Sequence, residues 1–313
     1  MKPEILMMGP MMPHVEAALD EACTVHRLFE ADDRDAMIAE IGPRIRGIAT
    51  DGGLGASADV MGRLPALEIV SCYGVGVDAI DLGHARERGI TVTNTPDVLN
   101  DDVANMAVAL VLATSRTLVA NDAYVRQGRW TGEGNPPLAR SIRGRKVGIL
   151  GLGRIGKDIA EKLTVFGCDI AYHGRKQQEG VSYEYFADLT DMARACDFVI
   201  AICPGGEATR GIVNAQVLEA LGPEGTFINV ARGSVHDEGA LVAALENGTL
   251  GMAGLDVFAA EPAVPEAMMK MDNVILQPHQ GSGTVETRRA MGDLVIENLR
   301  RHFAGEPVKT PVT

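Results

Sequence analysis

A run of glycines and three strand-end side chains carry the residue types in this chain that could do chemistry together. Gly151-Leu-Gly153-Arg-Ile-Gly156 follows the apolar run Val147–Leu150 and opens a helical pattern with Ile155, Ile159, Ala160 and Leu163 on one side. Gly151 permits a tight turn, Gly153 presents no Cβ to an approaching pyrophosphate, and Gly156 lets the helix lie close on the strand. The helix start adds free N–H groups and a positive dipole end, so the turn reads as a dinucleotide-binding site. Further on, Phe227-Ile-Asn-Val-Ala-Arg232, Gly254-Leu-Asp256-Val-Phe-Ala-Ala-Glu261 and Leu276-Gln-Pro278-His279 each place a polar residue past an apolar strand. Histidine can give or take a proton near working pH. A carboxylate on its other ring nitrogen fixes the tautomer and favours the imidazolium. Arginine offers a planar fork to a carboxylate or a polarised carbonyl. Taken singly, these residues have plainer readings as a surface ion pair, a loop carboxylate and a satisfied histidine. Their recurrence at successive strand ends, downstream of the glycine turn, is what points to one site.

The elements that must position them are short apolar runs alternating with helical patterns, the signature of βαβ units and parallel sheets. Strands are expected at Ile5–Met8, Gly47–Thr50, Glu68–Cys72 and Thr91–Thr93, then at Lys146–Leu150, Asp169–Tyr172, Phe198–Ile202, Thr226–Val230, Met252–Val257 and Val274–Gln277. The glycine turn opens the second set, which is therefore the cofactor domain. Long helices over Asp101–Ser115 and Thr284–Phe303 would join the sets. The expected fold class is α/β, with two doubly wound parallel-sheet domains, Rossmann-like and flavodoxin-like, and a cleft between them as the substrate site. Residues 1–100 and 285–313 would form a discontinuous substrate domain, and residues 101–284 the dinucleotide-binding domain. The segment Gln127–Pro137, rich in glycine and proline, reads as a loop that carries the only tryptophan, Trp130.

Composition narrows the partners. The 313 residues suffice for two cores, with 46% apolar and 23% charged content. A net charge of −13 argues against nucleic acid and anionic membrane. No apolar run reaches the roughly 18 residues of a membrane span. The N-terminus lacks the apolar core of a signal peptide. Five cysteines without a C-x-x-C pattern read as packing residues in a reducing cytoplasm. No cluster has metal-ligand spacing, and no metal is expected.

With these motifs in view, the chain resembles the D-isomer-specific 2-hydroxyacid dehydrogenase family over essentially its full length. The family's glycine motif falls on Gly151–Gly156, its catalytic Arg, Glu and His on Arg232, Glu261 and His279, and its cofactor-contacting Asp on Asp256. Its carboxylate-binding loop matches Tyr73-Gly-Val75-Gly76-Val-Asp78, and its Asn-Thr-Pro-Asp-Val-Leu turn matches Asn94–Leu99. Gln280 departs from the pattern, since many members carry an aliphatic residue there, and this leaves the substrate subtype open. The resemblance implies reduction of a 2-oxo acid: a hydride to C2, a proton from His279, and Arg232 holding the substrate. Backbone N–H groups of Val75 and Gly76 would take the substrate carboxylate, with Leu54 lining the substrate end and Trp130 closing the site of a two-fold partner. Expected cofactor contacts are Gly151, Gly153, Arg154, Ile155, Gly156, His173, Arg175, Lys176, Cys203, Pro204, Val230, Arg232, Asp256, His279 and Gly281.

An NAD enzyme usually ends its second strand with a carboxylate for the ribose hydroxyls. Here the strand runs Ala171-Tyr172-His173-Gly174-Arg175-Lys176, with no carboxylate before Glu179. Arg175 would hold a 2′-phosphate, with Lys176 or His173 helping, so NADP(H) is preferred and NAD(H) is the alternative. The Tyr-x-Gly-Arg run resembles the NADPH-preferring glyoxylate/hydroxypyruvate reductase branch. Expected substrates are therefore small 2-oxo acids. The alternatives are a larger one such as an aryl pyruvate, or a non-catalytic NAD(P)-sensing protein of the corepressor kind. A cytoplasmic homodimer is expected.

Overall fold

A computed structural model describes residues 2–313, which fall into two compact units: residues up to Leu99 with Thr284–Thr313, and Asn100–Gly283. In the first, β1 (Glu4–Met7), α1 (Pro13–Ala22), β2 (Thr24–Arg27), α2 (Arg34–Ile41), β3 (Ile45–Asp51), α3 (Ala58–Gly62), β4 (Ile69–Tyr73), α4 (Leu82–Glu87) and β5 (Thr91–Thr93) follow in turn. The strands form a parallel sheet in the order β2-β1-β3-β4-β5. Side chains alternate across a strand, so its two faces build two cores. Leu6, Ile48 and Val70 pack with Ile38, Met61 and Ala85. Ile5, Met7, Ala49 and Ile69 pack on the opposite side with Val15 and Leu19. α2, α3 and α4 start where a short polar side chain can accept an orphan N–H: Asp33, Ser57 and Asp81 accept from Ala36, Val60 and His84.

The second unit contains α5 (Asn100–Ser115), α6 (Leu118–Arg126), α7 (Arg129–Glu133), β6 (Lys146–Leu150), α8 (Arg154–Val165), β7 (Asp169–His173), β8 (Glu184–Phe186), α9 (Leu189–Ala195), β9 (Phe198–Ala201), α10 (Ala215–Leu221), β10 (Thr226–Asn229), α11 (Glu238–Glu246), β11 (Met252–Leu255) and β12 (Val274–Leu276). Its seven parallel strands run β12-β11-β10-β9-β6-β7-β8. The order reverses at β6 and β9, and the turn after β6 carries the glycines. Doubly wound sheets bind ligands at such a switch point.

The chain then returns to the first unit through α12 (Val285–Phe303), capped by Thr284, whose side chain accepts from the Thr287 N–H. Val295 and Leu299 complete the core that contains Ile5 and Met7. Residues after α12 cover the open edge of β5: Pro311 bridges Thr93, Val312 donates to the Val92 carbonyl at 2.7 Å, and the Val92 N–H donates to Thr313 Oγ1 at 2.8 Å.

Three expectations are corrected. β2 and β8 were not anticipated. Both are edge strands, only partly buried, and lack an apolar run. Trp130 lies on the short helix α7, not on a loop, and α6 precedes it where no helix was expected. All five cysteines are buried and unpaired. Burial pushes the thiols of Cys23 and Cys203 up to about 11 and that of Cys196 to about 12, which disfavours the thiolate. Among the described residues no single helix is long and apolar enough to cross a membrane, and no group of His, Cys, Asp and Glu could hold a metal ion.

Candidate active site

The glycine turn needs its glycines for separate reasons. Gly151 sits at φ 103°, and a Cβ there would lie 2.8 Å from the Cys203 backbone. A Cβ on Gly156 would lie 2.3 Å from the Gly151 carbonyl oxygen, so only glycine lets α8 approach the turn. Gly153 is the N-cap of α8, and no atom lies within 4 Å of where its Cβ would project. The open space is therefore at the helix start, where unsatisfied N–H groups favour a phosphate. This donor set fits a dinucleotide diphosphate. Arg154 and Ile155 form the first helical positions beside it, with Arg154 exposed. Cys203 and Pro204 follow β9 on the other side of the switch point. Cys203 is buried, and the Pro204 carbonyl accepts from Thr209 Oγ1 at 2.7 Å.

His173 ends β7, as expected from the sequence, and its Nδ1–H donates to the Phe186 carbonyl at 3.0 Å. Arg175 and Lys176 follow on an exposed turn, and among the described residues neither pairs with a carboxylate. Two unpaired cations past the second strand suit an added phosphate better than ribose hydroxyls.

Arg232, Glu261 and His279 follow β10, β11 and β12, which are neighbours in register: Asn229 opposite Leu255, and Leu255 opposite Leu276. Their turns interlock. A Cβ on Gly233 would fall 1.9 Å from the Phe258 backbone, and the Phe258 N–H donates to Glu261 Oε1 at 3.0 Å. Glu261 Oε2 accepts from the His279 Nδ1–H at 2.7 Å, with both side chains part-exposed. Burial alone would raise the Glu261 pKa. The His279 hydrogen bond, the Phe258 N–H and the charges of His279 and Arg232 outweigh it, and the carboxyl lies below its ordinary value. Arg232 is thus close enough to act on Glu261 electrostatically, and its Nη1 donates to the Ala231 carbonyl at 2.8 Å.

His279 holds a left-handed backbone at φ 54°, unusual without glycine. Asp256 secures it. The Asp256 carbonyl accepts the His279 N–H at 2.9 Å, and its carboxylate oxygens accept the Gln280 and Gly281 N–H groups at 2.6 and 2.7 Å. Burial raises the Asp256 pKa, partly offset by those amides and by the charge of His279. The observed work of Asp256 is to hold the histidine turn. Gly281 is required beside it, since a Cβ would lie 2.9 Å from Asp256 Oδ2.

Two residues overlooked in the sequence support the arginine turn. Asn229 is fully buried. Its Oδ1 accepts the Ala231 N–H, and its Nδ2 donates to the Arg232 carbonyl and to His236 Nδ1, each at 2.9 Å. His236 is 4% exposed, and burial lowers its pKa to about 4, so it is neutral there. A buried polar residue inside the run Phe227-Ile-Asn-Val was the available signal. Val230, in the same turn, is buried.

The expected carboxylate loop lies in the other unit, past β4. Among the described residues the Val75 and Gly76 N–H groups donate to no acceptor. The loop is held from outside: Asn94 Nδ2 donates to the Val75 carbonyl at 2.9 Å and the Thr95 N–H to the Gly74 carbonyl at 2.9 Å. Leu54, 51% exposed, follows β3 on a turn closed by Asp51 Oδ1, which accepts the Gly53 and Leu54 N–H groups at 2.8 and 2.7 Å. Trp130 is 56% exposed, and its Nε1–H donates to Asn135 Oδ1 at 2.9 Å.

The D-isomer specific 2-hydroxyacid dehydrogenase, NAD binding domain, profile matches residues 108–281. The glyoxylate/hydroxypyruvate reductase A of Arabidopsis thaliana is 45% identical over 98% of each chain. The hydroxyphenylpyruvate reductase of Plectranthus scutellarioides is 44% identical over the same share. The crystal structure of an NADPH-dependent glyoxylate/hydroxypyruvate reductase from Sinorhizobium meliloti, in complex with NADP and malonate, superposes with a TM-score of 0.94 at 47% identity, covering 100% of this chain and 97% of that one. The chain belongs to the D-isomer-specific 2-hydroxyacid dehydrogenase family of oxidoreductases.

Proposed function

We propose that the protein reduces a small 2-oxo acid, glyoxylate or hydroxypyruvate, to the 2-hydroxy acid, with NADPH preferred to NADH. The observation that carries this reading is the short His279–Glu261 hydrogen bond beside Arg232. The bound cofactor supplies a hydride to the carbonyl carbon. Glu261 occupies Nδ1 of His279, which leaves Nε2 as the position that delivers a proton to the carbonyl oxygen. The same hydrogen bond fixes the orientation of the imidazole ring. Arg232 holds the substrate through its carboxylate or carbonyl, the Val75 and Gly76 N–H groups take the carboxylate, and Leu54 bounds the side-chain end. Gly151, Gly153, Arg154, Ile155 and Gly156 would cradle the diphosphate, and His173, Arg175 and Lys176 a 2′-phosphate. Cys203, Pro204, Val230, Arg232, Asp256, His279 and Gly281 would line the remainder of the cofactor site.

The relatives named for glyoxylate and hydroxypyruvate support the small substrates, and the NADPH-dependent relative supports the cofactor. A second reading, a larger aryl 2-oxo acid, is favoured by the hydroxyphenylpyruvate reductase at 44% identity. Oxidation of NADPH and NADH over glyoxylate, hydroxypyruvate and hydroxyphenylpyruvate decides. The higher kcat/KM is expected for the small acids with NADPH. The reverse order would favour the aryl substrate, and no turnover with any acid would overturn the enzymatic reading.

We also propose a cytoplasmic homodimer. No residue of α6 or α7 is fully buried in its own chain, and Leu118, Val119, Val125 and Trp130 are exposed on them. A partner copy would cover this face and take Trp130 toward its substrate site. Trp130→Ala should then raise KM for glyoxylate and leave NADPH affinity intact. A fully active monomer in light scattering would end this part of the reading.

A further inference from the structure

The turn that carries Arg175 and Lys176 is tied to the glycine turn at both ends. At its start the Gly151 N–H donates to the His173 carbonyl at 3.0 Å. At its end the Gln178 side chain reaches back, and Nε2–H donates to the Leu152 carbonyl at 2.7 Å. Leu152 lies between Gly151 and Gly153, at the heart of the glycine turn. A carbonyl oxygen only accepts, so the amide nitrogen of Gln178 must face it. The backbone of Gln178 is fixed separately: its N–H donates to Tyr172 Oη at 2.8 Å, and Tyr172 is fully buried in β7. Tyr185 Oη donates to the Gly174 carbonyl at 3.2 Å, and its ring lies 5.3 Å from that of Tyr172.

We infer that Gln178 is a positioning residue for cofactor choice, which holds the Arg175–Lys176 turn at a set spacing from the glycine turn. The inference rests on the NADPH reading. A 2′-phosphate and the diphosphate of one cofactor are joined through a single ribose, so two phosphate sites serve the same molecule only at a fixed separation. Free on an exposed turn, the long Arg175 and Lys176 side chains would lose much of their preorganisation, and with it part of their bond to the phosphate. NADH has no 2′-phosphate and gains nothing from that spacing. The clamp therefore acts on discrimination between the cofactors more than on dinucleotide binding as such.

The test measures Kd for NADPH and NADH on the whole protein, without substrate, in wild type, Gln178→Met, Tyr172→Phe and Arg175→Ala. Methionine keeps length and bulk but cannot donate to Leu152. A single neutral hydrogen bond predicts a roughly 2- to 10-fold fall in the NADPH:NADH preference of Gln178→Met, with NADH affinity nearly unchanged. Tyr172→Phe, which removes the other anchor, should lower the preference in the same direction. In Arg175→Ala the added Gln178→Met change should alter the preference less than it does in wild type, because one of the two cations it positions is gone. A purely structural role would weaken both cofactors equally. Equal loss for both, or no loss, in a Gln178→Met protein whose Arg175→Ala counterpart does lose preference would overturn the clamp alone. A wild type without NADPH preference, or an Arg175→Ala variant that keeps it, would overturn the cofactor reading and the clamp together.

Discussion

Past the ends of β10, β11 and β12 stand Arg232, Glu261 and His279, whereas past the ends of β3 and β4 stand glycines and the bare amides of Val75 and Gly76. Both units are parallel sheets with helices on both faces, yet one offers charged side chains and the other offers backbone. The supporting shells differ accordingly. The charged turns are held by buried groups of their own unit: Asp256 under the histidine turn, and Asn229 with His236 under the arginine turn. The amide loop is held by Asn94 and Thr95 from the neighbouring connection. In a chain of net charge −13 the overall field repels anions. Fixed N–H groups and a few placed cations can overcome that field locally, because their benefit falls off within a few ångströms while the repulsion is screened by salt.

The comparison can be broken at either unit. The largest effect is expected at His279. His279→Ala should lower the reduction rate roughly 10²- to 10⁴-fold, the usual worth of a positioned acid, with a much smaller change in cofactor Kd. Near-normal turnover would remove His279 from the chemistry. Next, Arg175→Ala should lower the NADPH:NADH preference roughly 10- to 150-fold, as a charge-assisted hydrogen bond is worth about 1.5–3 kcal/mol. Fluorescence titration with both cofactors measures it, and equal weakening of the two would contradict a 2′-phosphate role.

The buried support gives a pH effect of known sign. His236 has a folded pKa of about 4 against an ordinary 6.5, so its neutral form is the folded one. Its contribution is fully present above pH 6.5 and is lost as pH falls toward 4, on the order of 3 kcal/mol in all. His236→Asn, which can still accept from Asn229, should flatten the loss of stability between pH 7 and 4.5 in urea unfolding. An unchanged slope would mean that His236 is not the group being protonated. The smallest effect is expected in the amide loop. Asn94→Ala removes one neutral hydrogen bond, worth about 1 kcal/mol, and should raise KM for the oxo acid a few-fold at constant kcat. A fall in kcat with KM unchanged would show that the loop serves the reaction step instead.

The parts legible in the sequence were those in which one residue type has one use. Strands buried on both faces read as apolar runs, and Gly151, Gly153 and Gly156 read from their spacing between an apolar strand and a helical pattern. Arg232, Glu261 and His279 were singled out because they follow successive strands, where such sheets do chemistry, and the structure joins His279 to Glu261 by a hydrogen bond. The edge strands β2 and β8 were hidden, since a part-exposed edge needs no apolar run. α6 and α7 were hidden because none of their residues is fully buried in their own chain, so no apolar stripe marks them. Gln178, Asn229 and His236 were hidden for another reason. Their meaning lies in partners that the turns bring together, and hydrogen-bond geometry is not written in residue type.

The discontinuity of the first unit has a consequence for synthesis. A ribosome delivers residues 100–283 before α12, so the unit with an unbroken chain can fold while the other still lacks the helix over Ile5, Met7 and Ile69. Until then the sheet face that holds Ile5, Met7 and Ile69 has no Val295 or Leu299 to pack on, and β5 has no C-terminal segment along its edge. Val295, Leu299 and the Val312–Thr313 pairing close them last. Synthesis order therefore sets which unit has its whole chain first: Asn100–Gly283 is complete while the other unit still waits for one helix of its core.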